Sequence, residues 1–177
     1  HRVILHIGAV DQLAAVWVDG TMVGEHVGGY EPFSLDITDA LKNGNGDGQD
    51  LYGEHELVIR AMDQLSNHVF PYGKQTNQRG GMWYTPVSGI WQSVWLEVVP
   101  QKYIGGLNIK NGLDWVEISA DVIDAADGEV GAASGTVTIE SPEGAVAAEL
   151  VDGCVRVALK EPRLWSPEDP YLYSFTV

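Results

Sequence analysis

Gly73 to Glu97 reads GKQTNQRGGMWYTPVSGIWQSVWLE, and the way this stretch divides decides the fold. Its first half holds Gly, Asn, Gln and Pro without periodicity, a loop that carries Trp83 and Tyr84. From Ile90 the pattern becomes that of a strand. Ile90, Val94, Leu96 and Val98 alternate onto one side, the expected core face, because side chains along a strand repeat with period two. Trp91, Ser93, Trp95 and Glu97 then fall on the other side. Two tryptophans on a face that would otherwise meet solvent call for a covering partner, since large aromatics bury well. A second domain, a sugar or a loop of the same domain would each serve.

Working outward, composition narrows the class. The chain has 177 residues, enough for one large or two small domains. Hydrophobic residues make up 45% of it and mean hydropathy is −0.06, values of a folded globular chain. Its 21 glycines and 8 prolines punctuate many short apolar runs, which favours an all-β chain rich in turns. No apolar run approaches the roughly 20 residues that span a bilayer. A formal charge of −15 disfavours nucleic acid and anionic membrane surfaces, which attract Lys and Arg. A neutral ligand such as a sugar suits an acidic surface better. The single cysteine, Cys154, excludes an internal disulfide and is expected as an inert buried thiol in the strand GCVRVAL.

Before the opening stretch, Arg2 to Ile7 and Ala14 to Val18 read as strands, and Asp19-Gly20 as the tight turn of a hairpin. Gly28-Gly29 breaks the chain; Phe33, Leu35 and Ile37 then point inward, with Asp36, Thr38 and Asp39 outward at the start of a short helical turn ending near Leu41. Lys42 to His55 is a polar, glycine-rich insertion. Asn43, Asn45, Asp47, Gly48 and Glu54 occupy calcium-loop positions there, but strands flank the loop instead of helices, so a plain hairpin loop is the competing reading. Glu56 to Met62 is a strand with Leu57, Ile59 and Ala61 on one side, ending at Asp63. After Pro100 strands of six to nine residues restart, at 103–109, 115–123, 145–151, 154–159 and 171–177, separated by a small-residue loop DAADGEVGAASG and the turn Ser141-Pro142-Glu143-Gly144. The histidines show no zinc spacing, His26 and His68 reading as loop residues, and no G-x-S-x-G or phosphate-cradling loop occurs.

Asp63 is the leading candidate residue. A carboxylate at a strand end, opening into a loop with Gln75, Arg79, Trp83 and Tyr84, suits a carbohydrate, whose hydroxyls take planar acceptors and whose C–H face takes an aromatic ring. The plainer alternative is an Asp that caps a turn.

Three strings carry a family resemblance: VGEHVGGYEPFSLDITDAL after the VWVDG hairpin, GGMWYTPVSGIWQSVWLE, and PRLWSPEDPYLY. Together they resemble glycoside hydrolase family two, the family of β-galactosidases, β-glucuronidases and β-mannosidases. The resemblance implies an all-β chain of two β-sandwiches: a galactose-binding-like jelly-roll over 1–101 lacking its first strands, and an immunoglobulin-like sandwich over 102–177 lacking its last. It implies a parent that hydrolyses O-glycosidic bonds with retention through two glutamates of a (β/α)8 barrel lying after Val177, so that no catalytic residue is expected in this piece. It also implies that Asp63 reaches the rim of the sugar pocket. There, in the galactosidase branch, the matching aspartate helps hold sugar hydroxyls and a monovalent cation; Asp63 by this resemblance, and Asp47 by its place in the calcium-like spacing, are the metal candidates, with no other cofactor. The expected partners are a carbohydrate substrate, the barrel of the same parent chain and, through that parent, further copies of the chain. A stand-alone carbohydrate-binding module and a structural spacer without ligand are the alternatives. The compartment stays open between cytoplasm and a periplasmic or secreted bacterial setting.

Overall fold

The structure, a computed structural model, describes residues 1–44, 53–64, 71, 73–78, 80–126 and 128–177. Most of the calcium-like loop, Asp47 included, and Arg79, Asn67 and His68 lie outside the described residues. Two units divide the chain, His1–Val99 and Pro100–Val177, and both are β-sandwiches.

In the first unit the apolar alternation of RVILHI and LAAVWV produces β1 (Arg2–Ile7) and β3 (Leu13–Val18), with the two-residue β2 (Val10–Asp11) between them. Asp19 (φ 47°) and Gly20 (φ 76°) supply the two positive φ angles of a type I′ turn into β4 (Thr21–Val27). The hairpin is tied further on: Asp19 accepts from the Glu56 backbone N–H and pairs with Nδ1 of His55 at 2.6 Å. β5 (Phe33–Asp36) leads into α1 (Thr38–Gly44), and β6 (Leu57–Met62), β7 (Gly89–Ile90) and β8 (Val94–Val99) complete the unit. One sheet runs β5-β1-β8, the other β4-β3-β6, and β2 pairs β7. Leu5 and Ile7 of the first sheet share a core with Ala14, Val16 and Val18 of the second, capped by Ile37, Ala40 and Leu41 of the helical turn. Each buried Leu, Ile or Val among them contributes about 1.5–3 kcal/mol on burial.

Four expectations for this unit are corrected. The strand expected from Ile90 is broken at Trp91–Ser93: β7 pairs β2 and β8 pairs β1, so the chain crosses between sheets. On β8 the row Val94, Leu96, Val98 does lie on the side of Leu5, with Leu96 directly across from it; yet Leu96 is 61% exposed where Leu5 is 1%. β8 is an edge strand, as is β6 in the facing sheet, where Leu57 and Ala61 are also exposed. Alternation fixed the side; the packed core ends above β1 and β3. Thr38, expected outward, is fully buried, because its hydroxyl accepts from the Val3 N–H at 2.8 Å and donates to Asp36 at 2.6 Å, stapling α1 to β1. His26, expected in a loop, lies in β4 and stacks on Phe33 at 4.3 Å.

The second unit holds β9 (Lys102–Asn111), β10 (Trp115–Asp124), β11 (Glu129–Ala132), β12 (Gly135–Ser141), β13 (Gly144–Leu150), β14 (Cys154–Ala158) and β15 (Ser174–Thr176). β10 pairs β9, β11 and β14, while β12 pairs β13 and β15. Ile118 and Ala120 of β10 share one core with Val137 and Ile139 of β12, as their alternation requires. The stretch read as a small-residue loop is in part β11: Glu129 to Ala132 pair with β10 through their backbone. Cys154 is exposed, not buried, because the inward side of β14 falls to Val155 and Val157. The last strand is shorter than expected. Arg163 pairs with Asp169 across the preceding proline-rich crossing, and the Arg163 N–H donates to the Tyr173 hydroxyl.

Candidate carbohydrate site at the end of β6

β6 ends at Met62 because the chain there leaves the ladder: the last bond to β3's side is Gln12 N–H to the Met62 carbonyl at 3.3 Å. Asp63 follows, half-buried. The structure sets it beside a residue the sequence reading did not single out, Asp11. Burial first, then the charge of Asp63, push the Asp11 carboxyl above its ordinary value, against a hydrogen bond from Gln12. Asp11 closes β2, and Gly29 packs directly on it: a Cβ at position 29 would lie 2.6 Å from Asp11 Oδ1. With one oxygen covered by backbone, Asp11 is poorly placed to protonate a glycosidic oxygen.

Gln12 completes this corner. It is 3% exposed, its amide N–H donates to the Pro71 carbonyl at 2.6 Å, and its amide oxygen is buried without a partner. The Gly28 N–H donates to the Gln12 carbonyl at 2.8 Å, so the double-glycine turn is seated on the same two residues. Next to them Trp91 donates its indole N–H to the Gly29 carbonyl at 2.7 Å and meets Tyr30 edge to face at 6.1 Å. A loop of the same unit therefore covers one side of Trp91, while both rings keep an exposed face.

The other candidates form a second group. Gln75 pairs with Tyr84 in a short parallel bridge, fixed by the Tyr84 N–H to the Lys74 carbonyl and the Thr76 N–H to the Tyr84 carbonyl. The Gln75 amide oxygen accepts from the Val87 N–H at 2.6 Å, which commits that oxygen to the chain and leaves only the NH2 end for a ligand. Trp83 closes a turn onto the Gly80 carbonyl, and both Trp83 and Tyr84 are exposed. Among the described residues no hydrogen bond, ion pair or ring contact joins this group to Asp63. Arg79 lies outside them. No group of three or more His, Cys, Asp or Glu side chains among them is placed to hold a metal ion. Asp11 was missed because VDQ carries no motif. Its meaning arises only when β2 and the end of β6 come together.

Comparisons with known proteins bear on this arrangement. Residues 108–177 match the model of glycosyl hydrolases family 2. A β-galactosidase of Thermoanaerobacter pseudethanolicus is 25% identical over 99% of this chain, and a putative β-glucuronidase of Formosa agariphila is 26% identical over 98%. The chain spans 23% and 20% of the length of those two proteins. The crystal structure of a Parabacteroides merdae β-glucuronidase superposes on 97% of the chain with a TM-score of 0.71 at 22% identity, a likeness of fold, and the chain covers 22% of it. The chain thus resembles glycosyl hydrolases family 2 throughout, its second unit through the family model and its first through relatives aligned over nearly its whole length.

Proposed function

We propose that these two sandwiches are the non-catalytic N-terminal part of a β-galactosidase-like retaining glycosidase. In this reading they buttress a catalytic barrel of the same polypeptide, and the corner after β6 lends Asp63 to the sugar pocket. The observation that carries it is the placement of Asp63: a half-buried carboxylate at a strand end, close enough to Asp11 for its charge to act there. A retaining glycosidase needs two carboxyl groups about 5 Å apart at the scissile bond, and that pair belongs to the barrel here. Asp63 would instead accept hydrogen bonds from sugar hydroxyls, which orients the ring without touching the bond that breaks. A hard cation, if the parent enzyme carries one here, would be held by oxygen donors, for which Asp63, Asp11 and the orphaned Gln12 oxygen are the residues on hand. It would neutralise the carboxylates and polarise a sugar hydroxyl.

The test is Asp63→Asn in the parent enzyme, assayed on an aryl β-galactoside. A loss of about ten- to a hundredfold in kcat/KM at unchanged thermal stability is expected, the scale of one or two charge-assisted hydrogen bonds. Unchanged kinetics would reduce Asp63 to a turn cap. The exposed Trp83, Tyr84 and Trp91 also favour a second reading, a carbohydrate-binding module in its own right, for which sugar binding without a barrel is the criterion.

A further inference from the structure

Gln12 is the single residue between β2 and β3, and its hydrogen bonds surround Asp63. Its backbone N–H donates to the Met62 carbonyl at 3.3 Å, immediately before Asp63. Its side-chain amide donates to the Pro71 carbonyl at 2.6 Å, farther along the chain that Asp63 opens. One residue therefore holds the backbone on both sides of that carboxylate. The side chain of Gln12 also hydrogen-bonds the Asp11 carboxyl, on which the charge of Asp63 acts. Its own backbone carbonyl accepts from the Gly28 N–H at 2.8 Å, which anchors Gln12 to the double-glycine turn. At 3% exposure Gln12 is shielded from solvent, and a buried amide is costly unless such bonds are made.

We propose that Gln12 is the positioning residue of this corner, fixing where the Asp63 carboxylate points by clamping the chain before and after it. The inference rests on the reading of Asp63 as an acceptor of hydrogen bonds from sugar hydroxyls. A carboxylate just past a strand end swings with its backbone, and a displacement of about 1 Å is enough to spoil an aligned hydrogen bond. The bonds to Met62 and Pro71 go to main-chain carbonyls, so they hold the path of the backbone and not one side chain. The chemistry asks for glutamine. Asn is a methylene shorter than the reach to Pro71, an ionised Glu has no N–H to give, and Met fills the same space but donates nothing. A residue that only filled the core would need none of these donors.

The experiment is a double-mutant cycle of Gln12→Met with Asp63→Asn in the parent enzyme, assayed on an aryl β-galactoside, together with a crystal structure of the Gln12→Met enzyme. Gln12→Met alone is expected to lower kcat/KM about tenfold. In the Asp63→Asn background it should add less than about twofold, because a residue that acts through Asp63 then has nothing left to position. In the crystal structure the Asp63 carboxylate should move by about 1 Å or more while β1 and β3 superpose. Gln12→Asn, with the same expectations, takes its place if the methionine variant does not fold. Losses that add in full, no loss from Gln12→Met where Asp63→Asn costs activity, or an Asp63 carboxylate that stays in place would each overturn the positioning role. Gln12 would then be a satisfied core amide. If Asp63→Asn is itself without effect, the reading of Asp63 as a sugar ligand fails, and the place of its carboxylate in the crystal structure alone decides the role of Gln12.

Discussion

Gly29 shows how much one residue can be asked to do. Its carbonyl holds the Trp91 indole, and its bare Cα rests on Asp11, where a methyl group would collide with Oδ1. Gly29→Ala is therefore expected to lift the turn, release Trp91 to water and shift its fluorescence to the red; an unchanged spectrum would mean that the turn adapts without moving its carbonyl. Asp11 sets the pH behaviour of the same corner. Its folded pKa is raised, so its effect on stability is most favourable below the unfolded value, about 3.9, and is lost as pH rises through the folded value. Asp11→Asn should accordingly raise the melting temperature at pH 7 and have little effect at pH 3, read by circular dichroism at both. Neither residue stood out in the sequence. A glycine pair announces a turn, but which carboxylate it sits on is decided by the return of the chain some 20 residues later.

At the scale of elements, the strands whose two faces differ were legible. Val116, Ile118, Ala120 and Val122 alternate in the sequence and line the core in β10, and RVILHI became β1 with the limits the pattern suggested. Period two failed where it was asked whether anything covers a face, as for Leu96 and Val98 on the edge strand β8. It failed again where a hydroxyl turns inward. Thr38 looks like a surface residue opening a helix, but it closes a buried contact among β1, β5 and α1. Thr38→Val would leave the Val3 N–H unsatisfied and should cost about 1–3 kcal/mol in urea unfolding; a smaller loss would show that this staple is dispensable. Burial raises the neighbouring Asp36, but hydrogen bonds from Thr38 and Arg2 outweigh it and hold the carboxyl low. That contribution is present at neutral pH and lost as pH falls below about 4, so Thr38→Val should also flatten the acid limb of the stability profile. Gly24 makes the parallel case in β4: any Cβ there falls within the methyl groups of Leu35, and Gly24→Ala should cost about 1–3 kcal/mol of overpacking.

For the molecule as a whole, the described residues form two sandwiches in sequence, and the proposed function places the glutamate pair of a retaining glycosidase in a barrel outside them. What they bring together, from residues far apart in sequence, is the pair of carboxylates Asp11 and Asp63 at the end of β6. The family resemblance was legible because short strings such as GGYEPF and SGIWQSVW join uncommon residues at fixed spacing. The grouping of candidate residues was not, since Gln75 and Tyr84 gather in one cluster and Asp63 joins Asp11 in another. The central claim is that these residues serve a larger glycosidase, and the mass of the native polypeptide that contains them tests it most directly. A polypeptide several times this length, whose sequence after Val177 runs on into alternating strands and helices with two strand-end glutamates, is the expected result. A native chain ending within a few dozen residues of Val177 would contradict it and leave the sugar-binding module standing alone.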